Sequence, residues 1–422
     1  MKFVISPKFI FDFLVVFLYL FPMTPTWMHG LTTRITSAMI AIFVLLIKRE
    51  KVKQVVKSMN IKHLRTSLLC LCSCFFLLLI TNAINVSSYP DNLIFKLSYF
   101  LYIIVFVIVF SFFCLIEFDT AIDFLKVYGA IFIVQFVAVM SAVVSTEVRL
   151  LLYNLFYYGD DRFEKSIVWG TRIMGIALHS ATGSVTCATG AVLVAYIFLK
   201  RQIGLSLFLF LYGLVFLTTM FIGRTGTIVE AFIFLYTVMM GGRNLFKRVI
   251  PITFFGLLLT YTLTEVMSKN DSGSAETVMK WITSPLDTES RMNSMSGINR
   301  HLPEFSSEFI FGTGVMRGHT PGQAYVESDS GYVMIISSLG IIGAILFYFS
   351  YFSLFTSSRL KTMKPSIKYY FLLIIICVYV IEYKEPFMLK HTFPFMLVYL
   401  AFYERVMTQS TKKQLITNVT RR

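Results

Sequence analysis

The sequence predicts an all-α, polytopic integral membrane protein of about twelve transmembrane helices with one large, late external loop. Three observations predict it. Of 422 residues, 56% are hydrophobic and only 14% are charged, where a soluble chain carries about 25% charged residues. Apolar runs of about 20 residues recur along the chain, the length that crosses a bilayer as a helix. The loops between those runs alternate between strongly basic and weakly basic. Together these exclude a cytosolic enzyme, a disulfide-stapled secreted domain and a disordered chain.

The spans are expected at 9–27, 31–47, 64–83, 93–116, 124–145, 174–199, 203–222, 226–240, 249–264, 330–356, 368–383 and 389–404. Lys2 and Lys8 precede the first, but no small-residue cleavage site follows it, so it is expected to stay as an anchor. The basic loops are 48–65, Lys200–Arg201, 241–248, 357–368 and the tail from 405. With the N-terminus and the Lys126 loop they hold 24 of the 38 Lys and Arg residues. Short loops rich in Lys and Arg stay cytoplasmic. Both termini are therefore expected in the cytoplasm, and 84–92, 146–172, Arg224, 265–329 and 382–388 on the far side. The mostly acidic loop 117–126 is assigned to the cytoplasm by alternation alone. The formal charge of +15 is then a topology signal and a contact with anionic lipid, not a nucleic-acid footprint.

Two external segments are too long to be turns, 146–172 and 265–329, within a single transmembrane domain of residues 1–422. Loops of that size usually carry function. The external face is also rich in arginine: Arg34, Arg149, Arg162, Arg172, Arg224, Arg291, Arg300 and Arg317. A guanidinium fork matches phosphate better than a lysine point charge does. Arg172 precedes the sixth span and Arg224 lies in a three-residue connection between the seventh and eighth, both at headgroup depth. Snorkelling, or pairing with Asp160 and Asp161, is the plainer reading of such arginines.

Cys70, Cys72, Cys74, Cys114, Cys187 and Cys377 all fall in apolar runs, and the six histidines show no ligand spacing. No metal and no cofactor is expected. In the sixth span Thr182, Thr186 and Gly190 recur every fourth residue, as do Ser180, Ser184 and Ala188, which suits close helix packing. His179 reads as a packing residue. Two carboxylates fall within spans: Asp12, near the inner end of the first, and Glu230, about 9 Å below Arg224 along a helix. Glu230 is expected to face a polar partner or a cavity, because a bare charge in lipid is costly.

Three blocks, in this order, resemble the O-antigen polymerase and ligase superfamily of bacterial envelope glycan assembly: RIMGIALHSATG at 172–183, GRTGTIVE at 223–230, and FIFGTGVMRGH with ESDSGYVMIISSLGIIG within 309–343. In that superfamily, whose fold is GT-C-like, a large external loop ends on a Gly-x-Gly turn and a polar pair then enters a helix carrying Gly-x-x-Gly. The corresponding residues here are Gly312 and Gly314, Asp329 and Ser330, and Gly340 and Gly343. Ligases usually carry His-Asn at the polar pair, so Asp329–Ser330 points to the polymerase, Wzy-type branch. The ligase stays an alternative, with His319 as a substitute for the missing histidine.

The resemblance implies a glycosyltransferase acting at the periplasmic face of the bacterial inner membrane on undecaprenyl-pyrophosphate-linked oligosaccharide repeat units. It implies Arg172, Arg224, Arg291 and Arg300 as candidates for the pyrophosphate, with Arg291 and Arg300 competing for one position. Asp329 or Glu327 would take the proton of the attacking hydroxyl. The capping of a helix N-terminus is the competing reading of Asp329. Implied partners are membrane lipid, a chain-length regulator and a flippase, with no nucleic acid. An alternative from another class is a lipid-linked oligosaccharide flippase or other transporter, which would place charge at mid-membrane.

Overall fold

A computed structural model describes residues 6–22, 33–59, 61–84, 100–156, 175–176, 180–241, 305–314, 330–357, 363–384 and 387–420. The described residues are all-helical, without strands. Six helices are long and apolar enough to cross a membrane: Ile61–Thr81, Phe100–Glu117, Ala121–Val144, Leu205–Ile222, Gly331–Phe355 and Pro365–Glu382. Shorter apolar helices cover Thr33–Ile47, Gly183–Leu199 and Thr225–Met240. The span expected at 249–264 lies outside the described residues, as do 157–172 and most of 265–329.

The helices are α1 (Pro7–Leu20), α2 (Thr33–Ile47), α3 (Arg49–Ser58), α4 (Ile61–Ile84), α5 (Phe100–Glu117), α6 (Ala121–Val144), α7 (Thr146–Phe156), α8 (Ser180–Leu199), α9 (Leu205–Ile222), α10 (Arg224–Met240), α11 (Ser307–Phe311), α12 (Gly331–Phe355), α13 (Pro365–Glu382) and α14 (Thr392–Thr420). Large apolar side chains on α2 and α4 are exposed, among them Phe43, Leu46, Ile47, Leu69, Phe76 and Ile80. In water such faces would be a liability. In hydrocarbon they are the solvent-facing surface.

Three stretches expected to be loop are helical. The basic segment 48–65 forms α3 and the start of α4, because REKVKQVVKS has few residues that oppose a helix. The first part of the external segment 146–172 forms α7. The tail beyond 405 continues α14 to Thr420.

The chain divides into two compact units. The first comprises Met1–Ile40, Thr120–Arg291 and Lys364–Ile374. α8 is its centre, packed on α6, α9 and α10. Its small residues let the neighbours approach: Gly190 lies under the Phe132 ring of α6, and Gly226 of α10 lies against the Ser184 carbonyl. Tyr128 and Thr189 join α6 to α8 through their hydroxyls at 2.8 Å. α1 begins with Ser6 accepting from the Phe9 N–H and with Pro7 in the first turn, where proline's missing N–H costs nothing. Asp12 of α1 is buried at 3% exposure and meets the Lys8 ammonium at 3.3 Å. The α2 end of this unit is tied to α1 by Ser37 Oγ donating to the Val15 carbonyl at 2.7 Å and Arg34 Nε to the Tyr19 carbonyl at 2.9 Å.

The second unit comprises Ala41–Asp119, Met292–Met363 and Ile375–Arg422. Residues Ile103–Val109 of α5 are π-helical, and the helix packs on α14 through Phe110 against Phe395 and Phe112 against Phe402. α4 runs antiparallel to the later part of α12: Ser353 Oγ donates to the His63 carbonyl at 3.0 Å and Cys74 Sγ to the Gly343 carbonyl at 3.4 Å. At one end, Lys48 meets Glu117 at 2.6 Å and Lys51 meets Asp119 at 3.0 Å. Glu117 and Asp119 at the end of α5 are thus held against the basic segment that opens α3.

The expected side assignment is open to labelling. Single cysteines at Glu50 and Asp119 are expected to react with an impermeant maleimide from one side of the membrane, and cysteines at Asp160 and Lys280 from the other. Reaction of positions 50 and 280 from the same side would overturn the topology.

Candidate functional site

Two places in the described chain concentrate the residues that the sequence singles out, one in each unit. In the second unit the span expected as a single helix over 330–356 is broken. Gly340 has φ 68 and ψ 176, inside what would otherwise be the helix α12. The bend is sharp, because the rings of Tyr332 and Tyr348 lie 5.0 Å apart. Sixteen residues of unbroken helix would hold them about 24 Å apart along the axis.

The Gly-x-Gly turn fills the break. α11 is capped by Ser306, whose Oγ accepts from the Phe309 N–H, and it ends at Gly312 with φ 82. The chain then turns through Gly314, at φ 77. The N–H of Thr313 donates to the Ser337 carbonyl at 2.8 Å and that of Gly314 to the Ser338 carbonyl at 3.0 Å. Thr313 Oγ1 adds a bond to Ser337 at 3.0 Å. These are the last-turn carbonyls of the first half-helix, which have no partner within a helix that stops at Gly340. The turn thus performs the pairing that the break removes, a requirement wherever backbone lies in hydrocarbon. A Cβ at Gly312 would run into the Ser338 carbonyl, and one at Gly340 into the Ile310 carbonyl. Thr81 of α4 secures the other side, donating to the Phe311 carbonyl at 3.0 Å.

At its start the N-cap position of α12 is held by Ser330, which is fully buried and makes no side-chain cap hydrogen bond. The cap position thus belongs to Ser330 and not to Asp329, one residue earlier. Asp329 and Glu327 themselves lie outside the described residues, as do Arg172, Arg291, Arg300 and His319.

Three tyrosines and an acid join the ends of α12 and α13, and sequence reasoning missed them. Tyr332 donates to the Tyr379 carbonyl at 2.7 Å and Tyr379 to the Tyr348 carbonyl at 2.7 Å. Tyr348 donates to Glu382 Oε1 at 3.1 Å, and the Met388 N–H to Oε2 at 2.9 Å. Glu382 was expected in an external loop; it is instead wholly buried at the end of α13. The only hint in the sequence is the spacing of Tyr379 and Glu382, one helical turn apart.

In the first unit, α9 and α10 form an antiparallel hairpin whose connection is the single extended residue Gly223. Arg224 is the first residue of α10, so its backbone N–H and those that follow open a helix toward the expected external face. The hairpin closes through Phe208 and Phe234, Tyr212 and Phe234, and at its deepest polar point Thr219 and Glu230. Glu230 is wholly buried and takes up the polar partner that the sequence demanded: Thr219 Oγ1 contacts Oε1 at 2.6 Å. The Tyr212 hydroxyl donates to the Glu230 carbonyl at 2.5 Å. Of the expected site the structure therefore describes Arg224 by its backbone and the Gly-x-Gly and Gly-x-x-Gly elements in full, and neither candidate acid.

Comparison with protein-family models, with curated proteins and with solved structures finds no match.

Proposed function

We propose that the protein is a membrane-embedded glycosyltransferase of the O-antigen polymerase type. It transfers a growing glycan from undecaprenyl pyrophosphate onto the next lipid-linked repeat unit, at the periplasmic face of the inner membrane. The observation that carries this reading is the seating of the Gly312–Gly314 turn on the break at Gly340. The last of the three blocks that carry the resemblance contains those two elements, which lie 26 residues apart in the chain yet meet through paired backbone atoms.

In this reading a hydroxyl oxygen of the incoming unit attacks the anomeric carbon of the donor. The carbon–oxygen bond to pyrophosphate breaks and the lipid pyrophosphate leaves with the electron pair. The hydroxyl proton passes to Asp329 or Glu327. Arginines at headgroup depth, Arg224 with Arg172 and either Arg291 or Arg300, stabilise the charge that develops on the leaving group. The reaction needs no nucleotide sugar, because the donor is already activated by its pyrophosphate.

The test is the purified protein with lipid-linked repeat units, read as a ladder on a gel. Arg224→Ala is expected to keep its level in the membrane and lose the ladder. Arg224→Lys is expected to retain a fraction, since a point charge replaces a fork. Full ladders from the Ala variant would assign Arg224 to snorkelling and remove it from the pyrophosphate site.

The break at Gly340 also favours a second reading, because transporters bind their cargo at discontinuous helices. A flippase would move the lipid-linked unit across vesicles and form no glycosidic bond. The same preparation separates the two readings: ladder without translocation for the polymerase, translocation without ladder for the transporter.

A further inference from the structure

Glu230 sits between α9 and α10 with no exposed surface. The proton inventory around it is informative. Thr219 Oγ1 lies 2.6 Å from Glu230 Oε1 and 2.8 Å from the carbonyl oxygen of Val215. A threonine hydroxyl owns one proton and two lone pairs. The Val215 carbonyl can only accept, and it stands at i−4, where a threonine within a helix habitually gives its proton. The contact with Oε1 then needs a proton from the other partner, and the carboxyl is the group that can supply it. We infer that Glu230 is a proton-binding site inside the membrane, a neutral carboxylic acid whose Oε1–H donates to Thr219.

The described surroundings agree. Among the described residues the other titratable groups near it are Cys187 from α8, whose thiol also bonds Thr219, and Tyr212 from α9, with Tyr370 of α13 beyond Tyr212. None of these is a cation. Among the described residues no Lys, Arg or His forms an ion pair with Glu230. Its second oxygen, Oε2, has no hydrogen-bond partner among the described residues. For half of an ionised carboxylate that would be a heavy desolvation cost; for the carbonyl oxygen of a neutral acid it is a small one. Three other buried acids of the described chain contrast with it. Asp12 meets Lys8 and Glu117 meets Lys48, while Glu382 accepts from two donors.

The bound proton ties the two arms of the hairpin together below Arg224. Without it, one threonine proton must serve two acceptors, and either the bond between α9 and α10 or the one within α9 is lost. The inference is independent of which reaction the protein catalyses.

The test is dicyclohexylcarbodiimide, an apolar reagent selective for protonated carboxyls. The acid O–H adds across a C=N bond of the reagent, and the acyl group then shifts to nitrogen, leaving a stable acylurea with no leaving group. On the intact protein in membranes, peptide mapping is expected to find the adduct on Glu230 and none on Asp12 or Glu117. Replacing choline chloride with sodium or lithium chloride should leave the yield unchanged. Infrared spectra should contain a neutral carboxyl C=O band that disappears in Glu230→Gln. That variant is expected to unfold at the wild-type temperature, because its amide donates to the same Thr219 oxygen. Absence of both adduct and band would overturn the proposal. Protection by sodium or lithium would overturn it in favour of a metal cation in the proton's place.

Discussion

Asp329→Asn is expected to reach the membrane at the wild-type level and to leave mostly single repeat units, with the polymerisation rate down about 10²–10⁴-fold, the usual worth of a general base. Asparagine caps a helix about as well as aspartate, and the N-cap position of α12 is Ser330 and not residue 329. A fall in activity therefore cannot be charged to a lost cap. What Asn lacks is the negative charge that takes the hydroxyl proton. Glu327→Gln belongs in the same experiment, because Glu327 lies two residues away and could take over the proton. Gel ladders from purified variants give the readout. Normal ladders from both single variants and the double would remove the carboxylates from the mechanism and make His319 the next candidate.

Gly340→Ala is expected to have the second large effect, on folding and not on chemistry. At φ 68 and ψ 176 the backbone is in a region that is essentially glycine's alone, which costs other residues about 1–3 kcal/mol. The added methyl also meets the Ile310 carbonyl, a backbone atom that cannot rotate away, for about 1–3 kcal/mol more. The variant should lose several degrees or more of melting temperature, or fail to accumulate. Gly312→Ala should behave alike, since it presses on the Ser338 carbonyl. Gly204→Ala is the control, because its Cβ would meet nothing. An unchanged melting temperature for Gly340→Ala would mean that α12 is not broken there.

Hydropathy made the membrane helices legible, since burial in lipid needs only length and apolar composition. The π-helical stretch of α5 and the break in α12 were not legible, because both interrupt runs whose composition stays uniformly apolar. LGIIG at 339–343 reads as continuous helix until something paired with its lost hydrogen bonds is known, and that partner is 26 residues upstream. Glu230 was legible as a cost demanding a partner. Thr219 was not, because threonine is common in spans and only the one-residue turn at Gly223 brings the two together. Glu382 was misread as a loop acid for the related reason that its donors, Tyr348 and the Met388 N–H, come from distant or irregular chain.

The pairing of Lys48 with Glu117 and of Lys51 with Asp119 bears on how the chain is laid into the membrane as it is made. The basic segment leaves the ribosome first and is held on its side by its own charge. The acidic segment that follows α5 arrives later and carries almost no sorting signal of its own. The finished lysines act on it as a template, so an early segment fixes the orientation of a late one. Charge lost at 48–51 would then be read not at that loop but some seventy residues downstream, as a minority of chains with the segment after α5 on the wrong side.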